Sequence, residues 1–180
     1  MRIGIDTFSL RERKLDPFEQ LDWIAGHGFQ GAQFGALGED TGRLKEIRAR
    51  ADRLGLYSHT SVPSPNIAVD DRPRDEQIAR ISRCVEAAAE AGWHELHTVL
   101  GTPETRYRHR VPWSEQLEQT LEALNALEPV LRACDSRLNL ETHGEITTFE
   151  LVRLCREAGP ERCGVCLDTA NVLAFAQDPV

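Results

Sequence analysis

Glu141 and Asp168 are the two residues of this sequence whose types and spacing best suit joint chemistry. Each lies in a short apolar run, 139–143 or 165–171, that is typical of a buried strand ending in polar groups, and a predicted helix over 148–158 separates the runs. Parallel strands joined by a helix bring their C-terminal ends to one edge of a sheet, so we expect both carboxylates to face one site. Converging carboxylates indicate a hard or borderline metal ion. The alternative is that Glu141 caps the following loop and Asp168 caps the next helix.

An alternation of strands and helices runs through the whole chain. Apolar runs predict four further strands, at residues 2–7, 30–35, 56–61 and 96–100. Helix start and stop signals predict helices over 16–26, 41–54, 74–91 and 114–134, while 62–73 and 101–112 are predicted as loops. Strict alternation of this kind builds a parallel sheet, either an open doubly wound sheet or a closed (β/α)8 barrel.

The positions of the polar residues favour the barrel. A doubly wound dinucleotide-binding sheet would carry a glycine-rich loop after its first strand, and residues 7–11 contain no glycine. Polar side chains instead follow several strands, as in a barrel whose site is assembled from many strand ends: Asp6, Gln33, His59, Glu141 and Asp168. Eight units and about 250 residues are typical of this barrel. We therefore predict an α/β fold, an incomplete TIM barrel with six of eight βα units, as one domain over residues 1–180 truncated at its C-terminus. The alternative is a complete six-stranded open domain.

Composition excludes several classes of function. A net charge of −8 argues against a general nucleic-acid surface, which needs clustered Lys and Arg. No apolar run approaches the roughly 18 residues that span a bilayer, and the first residues lack the pattern of a signal peptide. We therefore expect a cytoplasmic protein with neither nucleic-acid nor membrane partners. The five cysteines are an odd, scattered set that suits reduced thiols. Cys163 and Cys166 would point to opposite faces of a strand, so they predict core thiols rather than a redox pair.

The order and spacing of several motifs resemble the xylose isomerase-like TIM barrel superfamily. This group of sugar isomerases and epimerases also includes the AP endonuclease family 2. The motifs that carry the resemblance are the opening 2–7, the segments 28–34 and 54–56, Leu140-Glu141-Thr142-His143, Leu167-Asp168-Thr169-Ala170-Asn171 and the following Asp178-Pro179. The resemblance covers essentially the whole chain.

The resemblance implies a divalent metal ion (Mn, Mg, Co or Zn) held by a Glu, an Asp, a His and a second Glu from four strands. Glu141 matches the first Glu and Asp168 the Asp, whereas the other two ligands would come from strands that this sequence lacks. Glu141 would be both ligand and catalytic acid/base, and Asp168 a ligand. The implied activity is isomerisation or epimerisation of a small sugar, sugar phosphate or sugar acid through an enediolate. Alternatives are a dehydratase, an abasic-site endonuclease or an inactive sugar-binding fragment.

The sequence departs from the family pattern at two positions. Gln33 stands where many members have Glu, and an amide can bind a hydroxyl but cannot act as a base. Asn171 stands where the endonucleases have a metal-binding His, and a neutral amide is a poor zinc ligand. A three-metal nuclease site is therefore disfavoured.

Further residues are candidates for substrate binding. Gln33, His59, His143 and Asn171 are placed to contact sugar oxygens, with a backbone-bonded loop histidine as the alternative for His143 and helix capping as that for Asn171. Arg106 and Arg108, in the basic run 106–110, could bind a phosphate or carboxylate of the substrate, unless the run is a solvated loop. His97 is predicted to be a core residue. The expected partner is a small sugar, and homo-oligomerisation stays open.

Overall fold

The computed structural model describes residues 2–177 and contains a six-stranded, all-parallel sheet in the order β1-β2-β3-β4-β5-β6. The strands are β1 (Ile5–Asp6), β2 (Gly31–Ala36), β3 (Tyr57–Ser61), β4 (Glu95–Thr98), β5 (Arg137–Glu141) and β6 (Cys163–Cys166). Strand order that follows chain order without reversal is that of barrel staves, whereas a doubly wound sheet reverses direction. Within residues 2–177 the sheet does not close, because β1 and β6 do not pair. The predicted fold, six units of a (β/α)8 barrel, is confirmed.

Helices connect the strands. They are α1 (Pro17–Gly26), α2 (Thr41–Arg53), α3 (Arg74–Glu90), α4 (Pro103–Arg108), α5 (Trp113–Ala133), α6 (Thr148–Ala158) and α7 (Thr169–Ala174), with 3-10 turns at Thr7–Arg13 and Ile67–Val69. The long helices begin and end within a residue of their predicted bounds. At α1, for example, the Asp16 side chain accepts from Phe18 N and Glu19 N, and Pro17 follows as the first helical residue.

Two predictions about individual segments need correction, and a third is not tested. Residues 101–112 were expected to be a loop but contain α4, because Thr102 forms a capping box with Thr105 and Pro103 starts the helix. The first strand is limited to Ile5–Asp6, since Asp6 accepts from Phe8 N and turns the chain into a 3-10 helix. The motif Asp178-Pro179 lies outside the described residues.

The sheet divides the chain into a packed outer layer and a polar inner face. Leu96, Leu138 and Leu140 point outward against the helices and are fully buried. Side chains alternate between the two faces along a strand. The neighbours of these leucines therefore point inward, as Asn139 does between Leu138 and Leu140. The inner face is where a barrel carries its site, and here it is polar. Among residues 2–177, no helix is long and apolar enough to cross a membrane.

The cysteines are free thiols, as predicted. Cys163 lies on the outer face of β6, where its Sγ is 3.5 Å from Sγ of Cys155 on α6. Cys166 lies on the opposite face, in register with Glu141, and is only partly buried, so the prediction of a core thiol is wrong for Cys166. The two cysteines of the C-x-x-C spacing are therefore apart, in agreement with the alternation of a strand.

Candidate active site

The ends of β5 and β6 bring Glu141 and Asp168 to the same edge of the sheet. Glu141 is in register with Cys166, and Thr142 N donates to Cys166 O at 2.9 Å. The Thr142 hydroxyl then bonds the backbone of Asp168, accepting from its N at 2.7 Å and donating to its O at 3.0 Å. The two residues therefore lie at the ends of neighbouring strands, and a site shared by their carboxylates stays a prediction.

The Glu141 carboxylate is half-buried and has no hydrogen-bond partner among residues 2–177. Burial raises the pKa of Glu141, the positive field of His143 opposes that rise, and the charges of Asp168 and Asp6 add to it. The capping role considered for Glu141 is therefore not observed. A carboxylate with no partner in the described part of the chain is available to bind a cation or take a proton.

Asp168 does act as a helix cap. Its Oδ1 accepts from Ala170 N at 2.8 Å and Asn171 N at 3.3 Å, and its Oδ2 accepts from Asn171 Nδ2 at 2.9 Å. These bonds begin α7 and orient the carboxylate. The capping alternative for Asp168 is thus what the structure contains, and Oδ2 retains a lone pair for one more partner. The Asn171 side chain therefore helps to orient the Asp168 carboxylate.

His143 follows Glu141 by two residues and is held by a carboxylate that the sequence analysis did not single out. His143 Nδ1 lies 2.5 Å from Oε2 of Glu145, whose side chain is fully buried. This bond raises the pKa of His143. The alternative for His143, a loop histidine bonded to backbone, is not what the structure shows. The spacing His-Gly-Glu directly after a strand is the signal that could have identified Glu145.

A cavity of about 330 Å³ lies on the inner face of the sheet. It is lined by Gln33, His59, Glu95, Leu96, His97, Asn139, Val165 and Cys166. Gln33 Nε2 donates to Asp6 Oδ2 at 3.2 Å, and Asn139 Nδ2 donates to Glu95 Oε2 at 2.8 Å. The volume falls in the range of small-molecule pockets.

Two histidines of this cavity differ from expectation. His59 was expected to end its strand, but β3 continues to Ser61, so His59 lies in the middle of the inner face. His97 was expected to be an ordinary core residue, yet it faces the cavity, and burial lowers its pKa. Burial also raises the pKa of Cys166 to about 11, with the charges of Glu141 and Asp168 adding to the shift. Burial therefore favours the neutral forms of His97 and Cys166 in this cavity.

The basic run 106–110 is not a solvated loop throughout. Arg106 lies on α4 and is mostly buried, with its Nη1 donating to Glu150 Oε2 at 2.8 Å and to Glu145 O at 2.7 Å. Arg110 is exposed and pairs with Asp71 at 2.9 Å. Arg108 is exposed and belongs to none of the ion pairs among the described residues. Arg106 thus already has a carboxylate partner, whereas Arg108 does not.

The family model of the xylose isomerase-like TIM barrel matches residues 21–180 of the chain. The chain belongs to this family. No curated protein sequence matches it.

Solved structures share the family fold at low sequence identity. The 3-keto-D-glucoside 4-epimerase of E. coli is 17% identical, with a TM-score of 0.73 over 90% of this chain and 66% of that chain. The D-psicose 3-epimerase of Clostridium cellulolyticum H10 with D-tagatose is 17% identical, with a TM-score of 0.74 over 88% and 60%. A probable 3-DHS dehydratase of Bacillus anthracis is 14% identical, with a TM-score of 0.74 over 99% and 67%. The chain therefore spans about two thirds or less of these proteins.

The residues present fit one part of the metal site that the family implies. Glu141 and Asp168 offer carboxylate oxygens of the kind that bind Mg, Mn or Co, and Glu141 has no other partner among residues 2–177. In the same range, no three His, Cys, Asp or Glu side chains are arranged to hold a metal ion. Two carboxylates alone are too few for a complete site of this type.

Proposed function

We propose that this protein is an isomerase or epimerase that acts on a small sugar, sugar phosphate or sugar acid with a divalent metal ion. The observation that carries the proposal is Glu141, a half-buried carboxylate with no hydrogen-bond partner among the described residues. It lies beside Asp168 at the ends of two neighbouring strands. Membership of the xylose isomerase-like family and its sugar epimerase neighbours support the same class of reaction.

The reaction requires a proton to leave a carbon next to a carbonyl group. A bound divalent cation supplies Lewis-acid stabilisation of the negative charge that develops on the substrate oxygens. Glu141 and Asp168 contribute carboxylate oxygens to its binding. Glu141 also moves the proton, because its raised pKa suits a group that must alternate between acid and base near neutral pH.

The other candidate residues bind the sugar. His143 lies two residues from Glu141 and contacts a substrate oxygen, while Gln33, His59 and Asn171 contribute hydrogen bonds to hydroxyl groups. Arg108 is the better of the two candidate arginines for an acidic substituent, since Arg106 is engaged with Glu150. A cytoplasmic sugar substrate needs neither a nucleic-acid nor a membrane surface.

We also propose that two further βα units complete the barrel and supply the remaining His and Glu ligands. The unpaired edges β1 and β6 support this, as does the length of the neighbours relative to this chain. The codons that follow Val180 in the source DNA test it directly. A continued frame with one strand ending in His and a later one ending in Glu is expected, whereas an immediate stop codon in an intact gene would contradict it.

Solvent exchange tests the chemistry. The protein expressed from its complete gene is incubated in D₂O with Mn²⁺ and a panel of ketoses, and deuterium at the carbon beside the carbonyl is measured by NMR. We expect the wild-type protein to exchange deuterium and Glu141→Gln to lose this exchange. The exposed control Glu118→Gln should retain it. Absence of exchange with every ketose would overturn the proposed reaction.

A further inference from the structure

Glu145 is a buried carboxylate behind the candidate site that no Lys or Arg side chain among residues 2–177 neutralises. Its side chain is 0% exposed. Oε1 accepts from the backbone N of Leu100 and of Gly101, both at 3.0 Å, and Oε2 lies 2.5 Å from His143 Nδ1. Burying a carboxylate is unfavourable unless its lone pairs are used, so these three bonds must account for its presence.

The Glu145 side chain joins loops at the mouth of the barrel. Through Leu100 and Gly101, Glu145 ties the loop after β5 to the loop after β4. Leu100 O in turn accepts from Asn66 Nδ2 at 3.0 Å, which adds the loop after β3. An amide oxygen would accept the same two backbone bonds, so joining the loops does not by itself require a carboxylate.

The bond to His143 is what requires the carboxylate. An ionised Glu can only accept, so the His143 nitrogen that faces it must carry a hydrogen. The His143 side chain is 31% exposed while that of Glu145 is 0% exposed, so the ring edge away from Glu145 is the accessible one. Nε2 has no partner among residues 2–177.

We infer that Glu145 is a positioning residue that keeps the proton of the neutral His143 ring on Nδ1 and leaves Nε2 as a hydrogen-bond acceptor at the mouth beside Glu141. Whenever the ring is neutral, the sugar hydroxyl that His143 meets must then be the donor. This last step rests on the proposed function, whereas the orientation of the ring does not. A carboxylate that fixes a histidine tautomer in this way is a common device at functional sites.

The tautomer can be measured without substrate or metal. The protein is labelled with ¹⁵N-histidine, and long-range ¹H–¹⁵N spectra are recorded at about pH 9, well above the ordinary histidine pKa of about 6.5. His143→Gln identifies the signals of His143 by their loss. The expected spectrum of the wild-type protein has the proton on Nδ1. A proton on Nε2 would overturn the inference, and this measurement needs no folded variant of Glu145.

Glu145→Gln separates positioning from mere support of the loops. Gln can still accept from Leu100 N and Gly101 N but presents its NH₂ group to Nδ1, so the proton is expected to move to Nε2. The melting temperature should change little. The kcat for sugar turnover should fall about 10- to 100-fold with little change in KM, because losses of this size are found when a carboxylate that orients a ligand histidine is replaced. An unchanged tautomer, or a changed tautomer with unchanged kcat, would overturn the inference. Absence of turnover in the wild-type protein would instead contradict the proposed function.

Discussion

The hydroxyl of Thr142 exchanges two hydrogen bonds with the backbone of Asp168, at 2.7 Å to its N and 3.0 Å to its O. Thr142 is 3% exposed, so water cannot easily replace these bonds. Since Glu141 directly precedes Thr142, the pair fixes the position of one candidate carboxylate relative to the other. The chain thus positions the two carboxylates by a side-chain bond in addition to the ladder of β5 and β6.

Removing this hydroxyl should loosen the site as well as the fold. Thr142→Val keeps the shape but leaves Asp168 N without an acceptor, while Asp168 O keeps only its bond from Val172 N at 3.3 Å. We therefore expect a loss of about 1–3 kcal/mol in the free energy of unfolding. Urea denaturation measures it. Thr142→Ser, which retains the hydroxyl, is the control and should lose much less. Equal losses in the two variants would mean that the methyl group, not the hydroxyl, is what matters.

The Glu150 carboxylate is predicted to stabilise the fold in a pH-dependent way. It accepts from Arg106 at 2.8 Å, Trp113 Nε1 at 3.0 Å and Thr147 N at 2.9 Å. Burial alone would raise its pKa, but the bonds from Arg106 and Thr147 outweigh burial and lower it. Glu150→Gln should therefore reduce the free energy of unfolding at pH 7 by about 1.5–3 kcal/mol.

The sign of the pH effect follows from the lowered pKa. The folded state binds the proton of Glu150 less readily than the unfolded state, so the contribution is present above the unfolded pKa of about 4.3 and is lost as the pH falls through the folded value. Urea titrations from pH 7 to about pH 3 should show the wild type and Glu150→Gln converging only below about pH 4.3. The exposed control Glu118→Gln should show no such convergence, and a constant gap for Glu150→Gln would contradict the ion pair with Arg106.

Gly164 on β6 should not tolerate a side chain. A Cβ there would collide with Asn139 Oδ1 and lie 2.7 Å from Arg137 Nε, two groups of the inner face. We expect Gly164→Ala to cost about 1–3 kcal/mol through overpacking. Gly35 on β2 is the matched control, since nothing lies within 4 Å of the corresponding Cβ. Thermal denaturation of the two variants compares them, and equal stability would show that Arg137 and Asn139 can move aside.

The cysteines should differ in their reactivity. Cys163 is 2% exposed, and its contact with Cys155 together with burial raises the pKa of its thiol. Cys134 is only half-buried. Alkylation by iodoacetamide at about pH 8, followed by peptide mass spectrometry, should modify Cys134 before Cys155 and Cys163. The buried pair should react only in urea, because the thiolate is the nucleophile and must be accessible. Early modification of Cys163 in the native protein would contradict the burial of this pair.

Local signals in the sequence predicted most helices and strands, whereas long-range side-chain contacts determine most of the candidate site. The cap at Asp16-Pro17 defined α1, and the apolar run around Leu138 and Leu140 defined β5, because these signals are local. The same kind of local signal at Thr102-Pro103 begins α4, within the segment 101–112 that the apolar pattern predicts as a loop. The ion pair between Arg106 and Glu150 joins residues 44 positions apart in sequence, so spacing alone could not reveal it.

Glu145 shows the same limit at the site itself. Its position four residues after Glu141 could be read from the sequence, but its importance lies in bonds to Leu100 and Gly101, 45 and 44 residues away. The edge that gathers Glu141 and Asp168 was predictable, because parallel strands joined by a helix end together. That Asp168 caps α7 was an open alternative, which only the positions of Ala170 and Asn171 could decide.

Binding of Mn²⁺ tests the central claim most directly. Calorimetry and electron paramagnetic resonance on the protein expressed from its complete gene should give one site per chain, with affinity reduced about 10-fold or more in Glu141→Gln and in Asp168→Asn. A lost ligand removes both a bond and a charge. Glu118→Gln, exposed on α5, controls for the change in net charge and should bind as the wild type does. Unchanged Mn²⁺ affinity in both site variants would contradict the assignment of Glu141 and Asp168 as metal ligands.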